Sequence, residues 1–451
     1  MPPHDPTTTI PRPDLATAAL PTFTGYRDLL GLVRQLSSLG GCAQPVRLEG
    51  QRIDVDSFTG EILRELKSKE LPAGHLLVRC GNRRATRCPS CAELYRQDTY
   101  HLIAAGLRGG KNIPDQVATH PRVFATLTAP SYGLVHGRRT SGSARCRCGR
   151  THTKGDPLLG TALDPERYDY TGAVLWNAHA PALWARFMLH LRRTIAAVAG
   201  VPQRLLSKVV RVSYAKVAEY QQRGLIHFHA VIRLDGPAGP AGPYTPPPAW
   251  ATPDLLADAI RISATRARID GPEINGRARA FVFGEQIDTR IIRSTAFQGG
   301  TTITEGKVAG YVAKYATKGT EAATGTLDHR LKRITDLWFE SVPEHAARMI
   351  RTAWALGTRD DLKHLNLRKW AHMLGFRGHF STKTRAYSTT LSALRAARAA
   401  WHRRHTPPPH PTTLVLAHWA YDGTGLTPDL ERLAALIGGG PTREQEVATR
   451  A

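Results

Sequence analysis

Two strand-like runs joined by a short turn constrain the fold of this chain more than any other feature. The first, KVVRVSYAKVAEY, covers 208–220, and the second, LIHFHAVIRL, covers 225–234. Both are rich in β-branched and aromatic residues, and the intervening QQRG stretch is typical of a hairpin turn. A third run, RVFATLTAP, is stopped by Pro130. We therefore predict an α+β fold with a central antiparallel sheet, on which an apolar helix over 179–200 packs.

The second of these strands carries two histidines on one face. Residues i and i+2 of a strand point to the same side, so His227 and His229 project together while Phe228 points away. Two neutral imidazoles can share a divalent cation if a carboxylate lies nearby, and Glu219 on the preceding strand is the candidate. A two-residue loop would place Glu219 opposite Phe228, whereas a three-residue loop or a bulge would place it beside His227, the register we favour. The alternative is a pair of exposed histidines on an edge strand.

A helical segment further along the chain repeats the unit Tyr-x-x-Lys. In KVAGYVAKYATKG, Tyr311 and Tyr315 stand at i and i+4 on one helical face, followed by Lys314 and Lys318. Nearby ammonium groups favour the phenolate form of tyrosine, which makes it a usable nucleophile, and they can also hold DNA phosphates. The alternative is an ordinary amphipathic helix with core tyrosines and a solvated lysine face.

The charge balance points to a polyanionic partner. The chain has 61 lysines and arginines against 37 aspartates and glutamates, a net charge of +24. A GC-rich genome also enriches arginine, alanine and proline, but it does not by itself remove acidic residues, so nucleic acid is the expected partner. The start, MPPHDPTTTIPRPD, is polar and has no apolar signal sequence, and no run of 18 apolar residues occurs. We expect a cytoplasmic protein without a membrane partner.

Together these motifs resemble the HUH endonuclease superfamily, in particular its rolling-circle replication initiators. FATLTAP is similar to the first motif of that superfamily, EYQQRGLIHFHAV to its metal motif and YVAKYATK to its two-tyrosine motif, across roughly 118–320. The resemblance implies an HUH-type sheet flanked by helices, Mg²⁺ or Mn²⁺ on the histidine pair with Glu219, and tyrosines that attack the scissile phosphodiester. Single-tyrosine relatives carry a glutamate where this chain has Tyr311. Tyr315 therefore aligns with their nucleophile and is expected to cleave first.

Other stretches resemble the RepSA-type initiators of Streptomyces and other actinobacterial plasmids and integrative elements. They are CPSCAELYRQDTYHLIAAGL, YDYTGAVLWNAHAPALW and KWAHMLGFRGHFSTKTRAYS, and with them the resemblance covers most of the chain. It implies an initiator that nicks and rejoins one strand of origin DNA, single- or double-stranded, through a phosphotyrosine, and that works with host helicase and polymerase. The rival interpretations are a relaxase or transposase of the same superfamily and a non-catalytic zinc-containing repressor. Relaxases usually place the tyrosine before the histidines, which disfavours the first rival.

Four of the six cysteines predict a zinc site near the N-terminus. Their clustering does not suit a secreted disulfide framework. Cys80, Cys88 and Cys91 have the spacing that lets thiolates meet at one tetrahedral Zn²⁺. Cys42 is the first candidate for the fourth ligand and His75 the second.

A second cluster is formed by Cys146, Cys148 and His152, and His136 can complete it as a further zinc site. Relatives of the RepSA type often carry a CxxC pair just before the YDYT motif. This chain has LDPER there, so the resemblance leaves the second site incomplete.

We predict five segments along the chain. They are a disordered tail (1–22), a zinc-binding module (23–117), an HUH endonuclease domain (118–330), a helical basic DNA-binding region (331–405) and a flexible C-terminal tail (406–451). In the fourth segment, Lys383 and Arg385 follow Gly375 and suit either a helix-turn-helix with its cations on phosphates or a plain basic helical hairpin.

Overall fold

The computed structural model describes residues 26–138, 145–239, 242, 244–274, 276–293, 303–317, 324–325, 327, 329–404 and 411–437. The predicted disordered tail and Lys318 lie outside the described residues. The helices are α1 (Tyr26–Ser38), α2 (Pro89–Arg108), α3 (Tyr170–Val198), α4 (Pro253–Arg266), α5 (Glu305–Ala316), α6 (Glu344–Leu356), α7 (Leu391–Arg403) and α8 (Pro428–Ile437). The strands are β1 (Val46–Asp56), β2 (Ile62–Lys67), β3 (Leu76–Val78), β4 (Arg122–Leu127), β5 (Arg211–Tyr220), β6 (Ile226–Asp235), β7 (Arg268–Asp270), β8 (Ala280–Val282), β9 (Ile287–Arg293), β10 (Ile303–Thr304), β11 (Ser381–Lys383) and β12 (Thr413–Thr424).

The larger of two compact units, residues 94–404, is built on a six-stranded sheet. The strand order is β10-β9-β4-β6-β5-β11, and the described pairings are antiparallel except that of β10 with β9. β4, β5 and β6 are the three runs from which the sheet was predicted. The mixture of helices with an antiparallel sheet confirms the α+β prediction.

Helices cover both faces of this sheet. On one face, Trp184 of α3 packs against Phe228 of β6 in the larger core cluster. On the other face, Val312 of α5 belongs to a second buried cluster with Val217 of β5. Side chains alternate along a strand, so the residues of β5 and β6 that share a face with Val217 point toward α5.

The smaller unit contains the residues up to Glu93 and those after Arg404. Its sheet has the order β12-β1-β2, with β3 also pairing with β1, and all these pairings are antiparallel. Leu32 and Leu36 of α1 are buried there, and Leu430 and Leu433 of α8 pack against the same cluster. None of the helices in the described part of the chain has the length and apolarity needed to span a bilayer.

The C-terminal segment 406–451 was predicted to be a flexible tail, and its described part differs from that prediction. β12 pairs with β1 along the full length of β1, from Thr413 opposite Asp56 to Thr424 opposite Val46. The interstrand hydrogen bonds order this strand, although the proline-rich stretch before it suggested a tail.

The region 331–405 also differs from the helix-turn-helix and the helical hairpin considered for it. Around Gly375 the described chain has two short 3₁₀-helices, Asp360–Leu365 and Ala371–Met373, and then the edge strand β11. β11 pairs with β5, and α6 packs on α3, so this region is part of the larger unit.

Lys216 is an unusual residue of β5, because it is only 6% exposed and sits among aromatic rings. Its ammonium lies 4.5 Å from the ring centroid of Phe228 and 5.3 Å from that of Trp184. Burial lowers the pKa of Lys216 to about 8. An unfolded lysine has a pKa of about 10.4, so the unfolded chain binds more protons between these values and stability rises with pH in that window.

We expect Lys216→Met to raise the free energy of unfolding at pH 7 by about 2 to 3 kcal/mol, because the cost of charging a buried ammonium is removed. The variant should also lose the rise in stability between about pH 8 and 10. Urea unfolding at pH 7 and pH 9.5 checks both effects, and the exposed Lys208→Met is the matched control, expected to change stability by less than about 0.5 kcal/mol. A destabilised Lys216→Met protein would contradict the prediction.

Candidate functional site

The β5–β6 hairpin sets the geometry of the site. The amide of Gln221 donates to the carbonyl of Leu225 at 2.9 Å, which leaves a three-residue loop, and Gly224 in that loop has a φ of +74°. Glu219 consequently pairs with His227 across the ladder. The favoured register is confirmed. The alternative of histidines on an edge strand does not hold, because β6 lies between β4 and β5.

Glu219, His227 and His229 converge on one point. The Oε2 atom of Glu219 lies 3.0 Å from Nε2 of His227 and 3.2 Å from Nε2 of His229, and the two imidazole nitrogens are 3.1 Å apart. His229 is 2% exposed, and its burial lowers the pKa of the imidazole. A neutral ring is the form that binds a metal, so these three donors can hold a divalent cation.

Thr126 and Phe124 of β4 fix the orientation of His229. The Oγ1 atom of Thr126 lies 3.0 Å from Nδ1 of His229, and the ring of Phe124 stacks on the imidazole with centroids 5.8 Å apart. When Nδ1–H donates to Thr126, Nε2 carries the lone pair that faces Glu219. The sequence analysis identified the FATLTAP motif on this strand but did not predict a function for Thr126. Its contact with His229 could have been predicted only from the pairing of the two strands, which places Thr126 opposite His229.

We expect Thr126→Val to weaken Mn²⁺ binding about 10- to 100-fold, because the orienting hydrogen bond to the ligand ring is lost while the side-chain shape is kept. Isothermal titration with Mn²⁺ measures the change. Thr382→Val, on the edge strand β11, is the control and should bind as the wild type does. Equal affinities for the wild type and Thr126→Val would show that packing by Phe124 alone orients the ring.

Both tyrosines of α5 lie beside this cluster. The hydroxyl of Tyr311 is 3.4 Å from Nε2 of His229. The ring centroids of Tyr311 and Tyr315 lie 5.0 and 5.5 Å from that of His229 and 4.5 Å from each other. Both side chains are only partly buried, and burial together with the neighbouring Tyr315 raises the pKa of Tyr311. Lys314 is exposed on the same helix.

A buried ion pair anchors the first turn of α5. The guanidinium of Arg122 on β4 donates to the carboxylate of Glu305 and to the carbonyls of Leu107 and Ala118. Arg122 is 3% exposed and Glu305 is 8% exposed. Removing one partner of such a pair would leave an unpaired buried charge, so this contact holds the tyrosine helix against the sheet.

The four N-terminal cysteines come together in the smaller unit. The sulfur atoms of Cys42, Cys80, Cys88 and Cys91 all lie within 4.8 Å of one another and can hold a metal ion such as zinc. Cys42, the first candidate for the fourth ligand, is therefore in the group. His75 is not, since its Nε2 lies 2.9 Å from the Asp422 carboxylate.

Backbone amides point at these sulfurs. The amide of Cys80 donates to Sγ of Cys42 at 3.3 Å, that of Ala43 to Cys88 at 3.4 Å and that of Asn82 to Cys80 at 3.4 Å. Burial opposes ionisation of Cys88, but its hydrogen bonds, chiefly from the amides of Cys91 and Ala43, lower its pKa to about 6. Burial raises the pKa of Cys42. Thiolates stabilised by amides are the form that binds zinc.

The second cluster is complete with His136. The donor atoms of His136, Cys146, Cys148 and His152 lie within 4.8 Å of one another. Sγ of Cys148 is 3.3 Å from Nε2 of His152, while Nδ1 of His152 lies 2.6 Å from a carboxylate oxygen of Asp156. A carboxylate on the outer nitrogen fixes the tautomer of a ligating histidine, so this set also fits a tetrahedral metal.

Lys383 and Arg385 differ in their exposure and contacts. The ammonium of Lys383 donates to the carbonyl of Ser388 at 2.8 Å and to those of Thr384 and Arg385 at 3.3 and 3.5 Å. Burial lowers the pKa of Lys383. Arg385 is exposed. The Lys383 ammonium thus contacts backbone carbonyls at the sheet edge, and DNA binding by Lys383 and Arg385 stays a prediction.

Known proteins resemble this chain over nearly its whole length. It matches the RepSA family, described as "Replication initiator protein, pSAM2", over residues 29–437. A replication initiator protein of Streptomyces ambofaciens is 49% identical over 450 residues, which is 97% of this chain and 94% of that relative. No solved structure matches significantly. The resemblance to the RepSA-type initiators is confirmed, and the chain belongs to the RepSA family of replication initiators.

Proposed function

We propose that this chain initiates rolling-circle replication of a plasmid or integrative element by nicking and rejoining one DNA strand at the origin with a tyrosine nucleophile. The observation that carries the proposal is the position of Tyr311 and Tyr315 beside the Glu219, His227 and His229 cluster. In this proposal the six-stranded sheet is an HUH-type core. The net charge of +24 suits a protein that binds DNA phosphates.

Mg²⁺ or Mn²⁺ is the metal that we propose for this cluster. Two neutral imidazoles and one carboxylate make a donor set with open positions, which suits a catalytic rather than a structural ion. When bound, the ion would polarise a non-bridging oxygen of the scissile phosphate as a Lewis acid. Glu219, His227 and His229 would hold it, and Thr126 would keep His229 in the binding tautomer.

The proposed reaction is a transesterification. The phenolic oxygen of Tyr315 forms a bond to phosphorus as its proton leaves to solvent, the bond from phosphorus to the 3′ oxygen breaks, and that oxygen takes up a proton. The products are a 5′-phosphotyrosine and a free 3′-OH for the host polymerase to extend. After one round of synthesis, the phenolic oxygen of Tyr311 attacks the phosphorus of the regenerated junction as its proton leaves, and the 3′-OH of the displaced strand is freed. That 3′-OH then attacks the Tyr315 phosphotyrosine, which closes the displaced strand and releases Tyr315 as a phenol. Lys314, and Lys318 outside the described residues, would hold the phosphates on either side.

Two zinc ions are the structural cofactors in this proposal. The four N-terminal cysteines would hold one, and His136, Cys146, Cys148 and His152 would hold the other. Binding of double-stranded origin DNA would use exposed cations such as Arg385, and a host helicase would open the duplex ahead of the polymerase. An initiator of this kind works in the cytoplasm, where its DNA lies.

The test is a search for a covalent protein–DNA band on denaturing gels after incubation with single-stranded origin DNA and Mn²⁺. We expect the band for the wild type, its loss in Tyr311→Phe/Tyr315→Phe, and its return when Tyr315 is restored. Tyr421→Phe, which changes an exposed tyrosine of the smaller unit, is the control and should form the band normally.

Tight binding of origin DNA without any adduct under Mg²⁺ or Mn²⁺ would contradict the proposed enzyme and favour the repressor. An adduct that persists in the double tyrosine variant would assign the nucleophile to another residue. A band restored only by Tyr311 would reverse the order of the two tyrosines.

A further inference from the structure

A closed loop follows the tyrosine helix and holds a pair of exposed aromatic residues. We name residues 329–340 the Trp338 loop. Nε2 of His329 lies 3.4 Å from the carboxylate of Glu340, which joins the two ends of the loop. Leu331 and Leu337 are 8% and 5% exposed and belong to the main core cluster. The loop is therefore a compact, internally packed structure whose outer rim has a fixed position.

Trp338 and Phe339 lie on that rim. They are 76% and 86% exposed, the highest values for large apolar side chains in the described part of the larger unit. They end a 3₁₀-helix, Ile334–Phe339, in which Leu337 points into the core. Exposing two large aromatic rings to water is unfavourable, and adjacent exposed rings on a packed element are typical of a binding surface.

Three cations lie on the same loop as this aromatic pair, and the two acids of the loop are already engaged. Arg330, Lys332 and Arg333 are exposed on the same loop. The carboxylate of Asp336 accepts hydrogen bonds from the amides of Lys332 and Arg333 and from the Arg333 side chain, and that of Glu340 is held by His329. The outer rim thus presents rings and positive charge, the combination that binds single-stranded nucleic acid.

The loop is tied to the end of the sheet that carries the metal cluster. His345, six residues after Phe339, lies at the start of α6, and its Nε2 donates to the carbonyl of Arg223 at 3.2 Å. Its Nδ1 accepts from the amide of Ala162 at 3.3 Å, which fixes this tautomer. Arg223 is in the turn between Glu219 and His227, and six residues span at most about 21 Å. A short segment therefore connects the Trp338 loop to the end of the sheet that carries the proposed cleavage site.

We propose that Trp338 and Phe339 bind single-stranded origin DNA by stacking on two of its bases, with Arg330 and Lys332 on the adjoining phosphates. This inference rests on the proposed function and adds to it a site for the strand beyond the scissile phosphate. Successive residues of a 3₁₀-helix point about 120° apart, so the rings take two different bases rather than enclosing one. Paired bases in a duplex cannot offer these faces, so the site selects unpaired DNA.

The experiment measures binding by fluorescence anisotropy, with the full chain and a labelled 15-nucleotide oligothymidylate without metal. We expect Trp338→Ala and Phe339→Ala each to raise Kd about tenfold, and Trp338→Phe to bind nearly as the wild type does, because an aromatic face is retained. An abasic oligonucleotide of the same length should bind the wild type and Trp338→Ala equally. Phe58→Ala is the matched control, since Phe58 is 85% exposed in the smaller unit.

Two outcomes overturn this inference, and neither depends on cleavage. Unchanged oligothymidylate affinity in both alanine variants would show that the rings bind something other than DNA, such as a protein partner. Equal losses with abasic and normal oligonucleotides would show that the substitutions disturb the loop rather than stacking. The covalent-adduct assay tests the proposed function separately. A wild-type protein that stacks bases but forms no adduct would contradict only the proposed nicking activity. Adducts formed by a protein whose rings do not stack on bases would contradict only the proposed base-stacking site.

Discussion

Replacing His229 with alanine is expected to lower the rate of covalent adduct formation by roughly 10³-fold and to leave the affinity for single-stranded origin DNA nearly unchanged. The Nε2 atom of His229 is 3.1 Å from that of His227 and 3.2 Å from Glu219, so the change removes one of three converging donors. A metal ion on the scissile phosphate supplies several kcal/mol of transition-state stabilisation, and each 1.36 kcal/mol is a factor of ten in rate. Binding affinity comes mainly from cations on phosphates, which remain.

Single-turnover rates over a series of Mn²⁺ concentrations measure this effect. Glu219→Gln should keep a measurable rate and shift the half-saturating Mn²⁺ concentration upward, since an amide oxygen is a weaker ligand than a carboxylate. His364→Ala, at an exposed histidine, is the control and should behave as the wild type does. A His229→Ala protein with the wild-type rate and the wild-type Mn²⁺ dependence would remove the metal cluster from the mechanism.

The candidate site could be predicted from the sequence because its determinants are local. The side chains of His227 and His229 share a face through strand alternation, and a short glycine-containing loop then decides which residue of the neighbouring strand lies opposite. With Gly224 in a left-handed conformation, the three-residue loop aligns Glu219 with His227. The tyrosine pair likewise follows from helical spacing within α5.

Features that depend on distant parts of the chain were not predictable in the same way. β12 finds its partner β1 more than 350 residues away in sequence, and no local pattern encodes such a pairing. β11 is a three-residue edge strand, too short to show alternation, so the backbone contacts of Lys383 at the sheet edge were not predicted. Helix α3 begins at Tyr170, before the predicted start at 179, because the Asp169 side chain caps its first turn. Pro181 lies inside the helix, where a proline is normally unfavourable.

The Cys88→Ser substitution should unfold the smaller unit and leave the larger one folded. Among its described residues the buried cluster has seven members, of which Cys42, Cys88 and Cys91 are three, so much of this core depends on the cysteine cluster. Structural zinc contributes on the order of 10 to 16 kcal/mol to zinc-finger peptides at pH 7, as much as the whole stability of an ordinary domain. Losing the Cys88 thiolate, whose pKa is near 6, should therefore cost more free energy than the folded smaller unit has in reserve.

Hydrogen exchange followed by peptide mass spectrometry, together with zinc analysis, can detect this partial unfolding. We expect Cys88→Ser to bind one zinc ion fewer and to lose amide protection in β1, β2 and β12, while β4, β5 and β6 keep theirs. Cys148→Ser is the matched control, because it alters the other cluster and should leave β1 and β12 protected. If Cys88→Ser lost zinc but kept protection in β12, then β-sheet pairing and the leucines of α1 and α8 would be enough to hold the unit together. The cysteine cluster would then serve a purpose other than folding.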